Sequence, residues 1–240
     1  MSELINSTQT TPENNPWAFE YQKNHDLLEQ ESRTLAKVYE MAVKYDPRLE
    51  NIEIIPEQLD ETGRNQKPFF ARKPWKTESG KAEVHILFGD SQVIGNLAFN
   101  TIKENPDFKE QVRNMLMSPK GTKVNKNMVR AVIFLHELGH VADFLDHASQ
   151  PNEYDMKAQA AKNSLPLGYL SSRRIEEKYN SGDANFQQQV ISHFGNLENA
   201  LSSYRRLRHE LPFEKKADDF ANAVLRQDAT SLVALETYDN

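Results

Sequence analysis

The strongest chemical signal in this chain is two histidines set four residues apart with a glutamate between them, in His136-Glu137-Leu138-Gly139-His140. On a helix, residues four apart lie on one face, a turn above each other. His136 and His140 can therefore direct two imidazoles at one Zn²⁺, with Glu137 placed to act as general base on a water bound to the ion. The flanks, Ala131 to Leu135 and Val141 to Leu145, are largely apolar around the helix, which predicts burial. Imidazoles and a carboxylate on a buried helix need a partner, a hydrogen bond or a metal to offset their desolvation. Gly139 costs a helix about 1 kcal/mol relative to alanine, and a small residue there would let a neighbouring backbone approach closely.

A catalytic zinc usually takes three protein ligands and keeps a fourth position for water. Immediately downstream, Asp143 and Asp146 stand where a glycine and a third histidine would be needed to turn the chain back to the ion. His147 shares a face with His140 but lies ~10 Å further along the helix, which suits a surface or capping role. A stronger candidate is Glu214, in the helical stretch Glu214 to Leu225. Asp218 is on the same face, one turn on, where it can accept the N–H of a ligand histidine and so fix that ring's tautomer. Ala217, Phe220, Ala221 and Val224 have the spacing to dock this helix against the first.

His136-Glu-Leu-Gly-His140 followed by Glu214-x-x-Ala-Asp-x-Phe-Ala221 resembles the gluzincins, zincin metallopeptidases whose third ligand is a glutamate. More narrowly it resembles the ImmA/IrrE-type metallopeptidases, although the interval from His140 to Glu214 is longer than in compact members. The resemblance implies His136, His140 and Glu214 as ligands of one zinc per chain, Glu137 as general base, and Asp218 as the carboxylate behind a ligand histidine. It further implies a protein or peptide substrate, in that narrower group often a specific regulatory protein. The expected activity is that of a zinc metalloendopeptidase. The alternatives are a non-catalytic zincin-fold module that binds or regulates proteins, and a zinc hydrolase acting on a non-peptide bond. Peptide hydrolysis also needs a donor for the tetrahedral oxyanion. Tyr204, His209 and His193 are the candidates.

The elements that must position these residues follow from periodicity and punctuation. The expected fold is α+β and mostly helical: a zincin-like domain with a small sheet around the central His-Glu-x-x-His helix. Residues 1–15 read as a flexible tail, 16–230 as one domain with a helical insertion at about 148–185, and 231–240 as a C-terminal tail. Residues 17–45 form one long helix or two shorter ones, ended by Asp46-Pro47. Residues 49–80 read as irregular, with one short strand at 51–55 and with Phe69, Phe70 and Trp75 available to the core or to a cleft. The best strand is 82–89, with Val84, Ile86 and Phe88 on one face; either an extended substrate pairs with it or it is a plain core strand. Helices are expected at about 93–103 and 107–117. Asn125 or Asn127 caps the central helix, which runs to Asp146. Further helices are expected at about 153–163, 171–179, 186–211 (with a break near Gly195) and 212–226.

At 240 residues and 38% hydrophobic, the chain can bury a substantial core. It contains no cysteine, which excludes disulfide scaffolds, thiolate zinc sites and cysteine nucleophiles. The net charge of −6 argues against a nucleic-acid partner. The basic clusters Lys120, Lys123, Lys126, Arg130 and Arg205, Arg206, Arg208 read as solvated helix faces. No signal sequence or membrane-spanning run is apparent, so a cytoplasmic location and no membrane partner are expected. The oligomeric state is not encoded in any recognisable pattern.

Overall fold

A computed structural model describes residues 16–58, 68–88, 112, 114 and 125–236, the side chains of 16, 205 and 229–236 excepted. The N-terminal tail, the helix expected at 93–103 and most of that expected at 107–117 lie outside the described residues. Described elements in chain order are helices α1 (Pro16–Glu31) and α2 (Arg33–Tyr45), strands β1 (Glu53–Gln58), β2 (Phe69–Arg72) and β3 (Glu83–Phe88), then α3 (Lys126–Asp146), α4 (Pro151–Asn163), α5 (Ser172–Asn180), α6 (Ala184–Phe194), α7 (Leu197–His209) and α8 (Pro212–Glu236). The fold is mostly helical with one three-stranded sheet, hence α+β. Among the described residues no helix is long and apolar enough to cross a membrane.

The described residues gather into two cores. The first gathers Leu35, Val38 and Tyr39 of α2, Ile54, Val84 and Ile86 of the sheet, Phe134, Leu138 and Val141 of α3, and Ala221 and Val224 of α8. The second packs Leu165, Ile175, Phe186, Val190, Ala200 and Tyr204, all from the stretch that carries α4 to α7. The helical run expected at 186–211 with a break near Gly195 is two helices, parted where Gly195 takes φ +79° at the C-terminus of α6. A left-handed glycine there ends a helix without the strain a Cβ would add. Ser32, extended at φ −167° and ψ 128°, likewise divides α1 from α2. At the other end, α8 continues past a kink at Asp228 to Glu236, into residues expected to be a tail.

Strand β2 is the main addition to the expected fold. Its sequence, Phe-Phe-Ala-Arg between Pro68 and Pro74, is too short to show alternation and sits in a region read as irregular. It pairs antiparallel with β3, whose other side pairs parallel with β1. The sheet order is therefore β1-β3-β2, and β3 has no open edge. The expectation that the 82–89 strand could accept an extended substrate is corrected here, since both of its edges are already occupied. The outer edge of β1 is covered near its start by Asn24 of α1, which donates to the Ile52 carbonyl at 2.9 Å and accepts from Ile54 N–H at 3.1 Å. The outer edge of β2 faces α3.

Helix α3 begins as expected, and Asn125 is the residue that caps it: its side chain accepts the Met128 N–H at 2.9 Å. Arg130, expected on a solvated face, is instead only 2% exposed and pairs with Glu31 at the end of α1 at 2.7 Å. Gly139 is where α8 crosses. A Cβ at that position would lie 2.7 Å from the Ala217 carbonyl oxygen and 2.8 Å from its Cα, so the crossing requires glycine.

Candidate metal centre

That crossing brings the first turn of α8 over the histidine face of α3. His136 Nε2 lies 3.2 Å from Glu214 Oε2, and His140 Nε2 lies 3.6 Å from the same oxygen. The two imidazoles are 4.6 Å apart between centroids and nearly perpendicular, at 84°. With ligand bonds of about 2.0–2.1 Å, the donors of a tetrahedral zinc stand roughly 3.3–3.4 Å apart. Two nitrogens and one carboxylate oxygen at these separations fit such an ion. The described residues offer one other grouping of this kind, His25, Asp26 and Glu29 on the outer side of α1, with no base or supporting carboxylate from another element.

Asp218 sits behind the first histidine. Its Oδ1 accepts from His136 Nδ1 at 2.8 Å, which directs Nε2 at Glu214. Its Oδ2 lies 3.4 Å from His209 Nδ1. Burial disfavours a charged His136, but the Asp218 and Glu214 carboxylates outweigh it and push its pKa up to about 10. Burial likewise opposes ionisation of both carboxylates, and the facing histidines prevail: His136 and His140 hold Glu214, and His136 and His209 hold Asp218, well below the usual carboxylate range. His136, Glu214 and Asp218 thus form a charged, hydrogen-bonded cluster within a mostly apolar helix contact.

Glu137 is turned toward the sheet. Its Oε2 accepts the backbone N–H of Ala71 at 2.9 Å. The sheet register explains why that donor is available. Leu87 donates to the Pro68 carbonyl, and antiparallel pairs alternate between bonded and non-bonded positions. Phe70 and Arg72 therefore face β3, while Phe69 and Ala71 turn their backbone groups outward, toward α3.

The oxyanion candidates separate. His209 is near the centre, with its ring 6.4 Å from that of His136, though on the side of Asp218. Tyr204 is not at the site: it is fully buried in the second core, where its hydroxyl accepts Leu170 N–H at 3.2 Å. His193 is not there either, since it lies exposed in the last turn of α6 with Nδ1 on the Gln189 carbonyl at 2.9 Å. The donor that does reach the centre is Tyr169, whose hydroxyl donates to Glu214 Oε1 at 2.6 Å. Burial and the adjacent Glu214 push its pKa up to about 12, so it remains a phenol, and hence a donor, at neutral pH. Tyr169 sits in the loop between α4 and α5, in a Leu-Gly-Tyr stretch with no spacing relation to the motif, and nothing in the sequence singled it out. Arg208, read from sequence as part of a solvated basic face, supports this loop, with its guanidinium 4.3 Å from the Tyr169 ring centroid and Nη1 on the Leu170 carbonyl.

Two dismissed residues have structural roles. Asp146 pairs with Arg48 at 2.8 Å, and His147 caps α3 with Nδ1 on the Asp143 carbonyl. Asp143 itself is buried and receives both Tyr154 of α4 at 2.8 Å and Lys216 of α8 at 2.6 Å, tying three helices together one turn past His140. Comparison with protein-family models, with curated proteins and with solved structures finds no match.

Proposed function

We propose that the chain is a zinc-dependent peptidase of the gluzincin type, built on a zincin-like domain and acting on a protein or peptide. One observation carries this most directly: Glu137, which metal binding alone does not require, reaches from the two-histidine helix to the backbone N–H of Ala71 on β2, beside a set of three donors. The motif's resemblance to gluzincin and ImmA/IrrE-type sequences supports the same assignment.

His136, His140 and Glu214 would hold the ion, with Asp218 setting the His136 tautomer. Zinc bound there supplies an acidified water and polarises the scissile carbonyl. Glu137 takes the proton from the attacking water and returns it to the leaving amine. Tyr169 is placed beside Glu214 to donate to the developing oxyanion, the part for which Tyr204 and His193 lie in the wrong place.

Two measurements test this. Purified protein should carry one zinc per chain, lost in His136→Ala. Glu137→Gln should keep the zinc while cleavage of a denatured protein mixture falls by about 10²–10⁴-fold. Cleavage that survives Glu137→Gln would refute the mechanism.

A further inference from the structure

We propose that His209 is a positioning residue of the metal centre, holding the outer oxygen of Asp218 from the end of α7 and, through that carboxylate, setting the ring of His136, an assignment that rests on the metal-centre reading above.

The two carboxylates of α8 are each engaged on both oxygens. Glu214 turns Oε2 to His136 and His140 and takes the Tyr169 hydroxyl on Oε1 at 2.6 Å. Asp218 turns Oδ1 to His136 Nδ1 at 2.8 Å, and its Oδ2 lies 3.4 Å from His209 Nδ1. In both residues the inner oxygen faces α3, and the outer oxygen meets a group carried by the stretch that forms the second core. A carboxylate held at one oxygen still turns about its terminal torsion, which is broad. Held at both, it presents Oδ1 to His136 in one orientation, and a ligand imidazole follows the acceptor behind it.

The chain just after His209 fixes this relation. His209 is the last residue of α7, and only Glu210 and Leu211 separate it from α8. Leu211 is buried in the second core, donates its N–H to the Arg208 carbonyl at 3.1 Å and accepts the Lys215 N–H at 2.9 Å. The connection is therefore bonded to the helices on both of its sides. Electrostatics favour a donor here as well. Glu214 and Asp218 stand one turn apart on one helix face, where like charges repel, and a donor behind Asp218 offsets that repulsion. The Asp218 side chain is only 10% exposed, so a protein group takes the place that solvent would otherwise fill. That of His209 is 34% exposed, so it can be replaced without opening a cavity in either core.

The test is a double-mutant cycle on the full chain, read as zinc affinity by competition with a chromophoric chelator. His209→Phe removes the donor and His209→Asn keeps one near the position of Nδ1, both made in the wild type and in Asp218→Asn. His209→Phe is expected to lower zinc affinity about five- to tenfold, below the roughly 10–100-fold typical of a group bonded directly to a ligand. His209→Asn should restore most of that loss. In the Asp218→Asn background, His209→Phe should cost less than about twofold, because the carboxylate it orients is gone. A purely structural role would lower affinity equally in both backgrounds. Such an equal loss, or no loss in either, would overturn the positioning role and leave the metal centre standing. A wild type that binds no zinc would remove the centre and this role with it. Zinc binding with the full coupling, but without cleavage of any peptide, would uphold His209 and refute the peptidase.

Discussion

Gly139 and Ala217 touch backbone to backbone: a methyl group on Gly139 would sit 2.7 Å from the Ala217 carbonyl oxygen, closer than real Cβ atoms approach. Ala217 lies three residues after Glu214, so this contact sets the height of the Glu214 carboxylate above the two histidines.

Gly139→Ala is therefore expected to lower stability, even though alanine is favoured over glycine in a helix by about 1 kcal/mol. Pushing α8 away should cost about 1–3 kcal/mol as overpacking and should weaken zinc binding at the same time. Urea denaturation and a competitive zinc titration measure the two. A stabilised Gly139→Ala with unaltered zinc affinity would show that the helices are not in contact there.

The charged cluster has a defined pH window. His136 has a pKa of about 10, above its unfolded value, so the stability it contributes is full below about 6.5 and is lost as pH rises through 10. Glu214 and Asp218 are depressed, so their contribution is present above about 4 and fades as pH falls through their native values. Zinc competes with the His136 proton, so metal binding at pH 8 should release about one proton per ion. A pH-indicator titration of metal-free protein with zinc reads this directly. In Asp218→Asn the release should shrink, and zinc affinity should fall 10–100-fold.

Tyr169→Phe should reduce kcat by about 10²–10³-fold with KM and zinc content nearly unchanged, the pattern of a donor used in the transition state. A loss of zinc affinity with kcat preserved would instead assign the hydroxyl to holding Glu214.

Arg130 and Glu31 form a buried pair that staples α3 to α1. Arg130→Ala leaves Glu31 uncompensated and should destabilise by about 3–5 kcal/mol. The double variant Arg130→Met with Glu31→Leu should recover most of that loss, as measured by urea midpoints.

What was readable in the sequence and what was not divides along physical lines. His136, Glu137, His140, Glu214 and Asp218 were legible because helical spacing converts sequence distance into a shared face, so two faces can be matched without knowing how the chain travels between them. The glycine at 139 carried its own explanation for the same reason. Tyr169 was illegible because a loop has no period, and its place beside Glu214 depends on Arg208 and Tyr204 holding the loop from another helix. Strand β2 was hidden by its length, since four residues between prolines cannot display alternation. Arg130 was misplaced because a basic side chain on a polar-looking turn gives no sign of a carboxylate waiting on α1.

The bond from Ala71 to Glu137 has a consequence for how such a protein can be dissected. The donor is a peptide group, so every L-residue except proline supplies it equally, and a scan of side chains along β2 will pass over the contact that orients Glu137. The orientation of Glu137 is written in the register between β2 and β3, and it can be edited only by removing an N–H, as in Ala71→Pro, or by sliding one strand past the other. A residue that looks interchangeable at position 71 is thus the fixed point from which Glu137 is held.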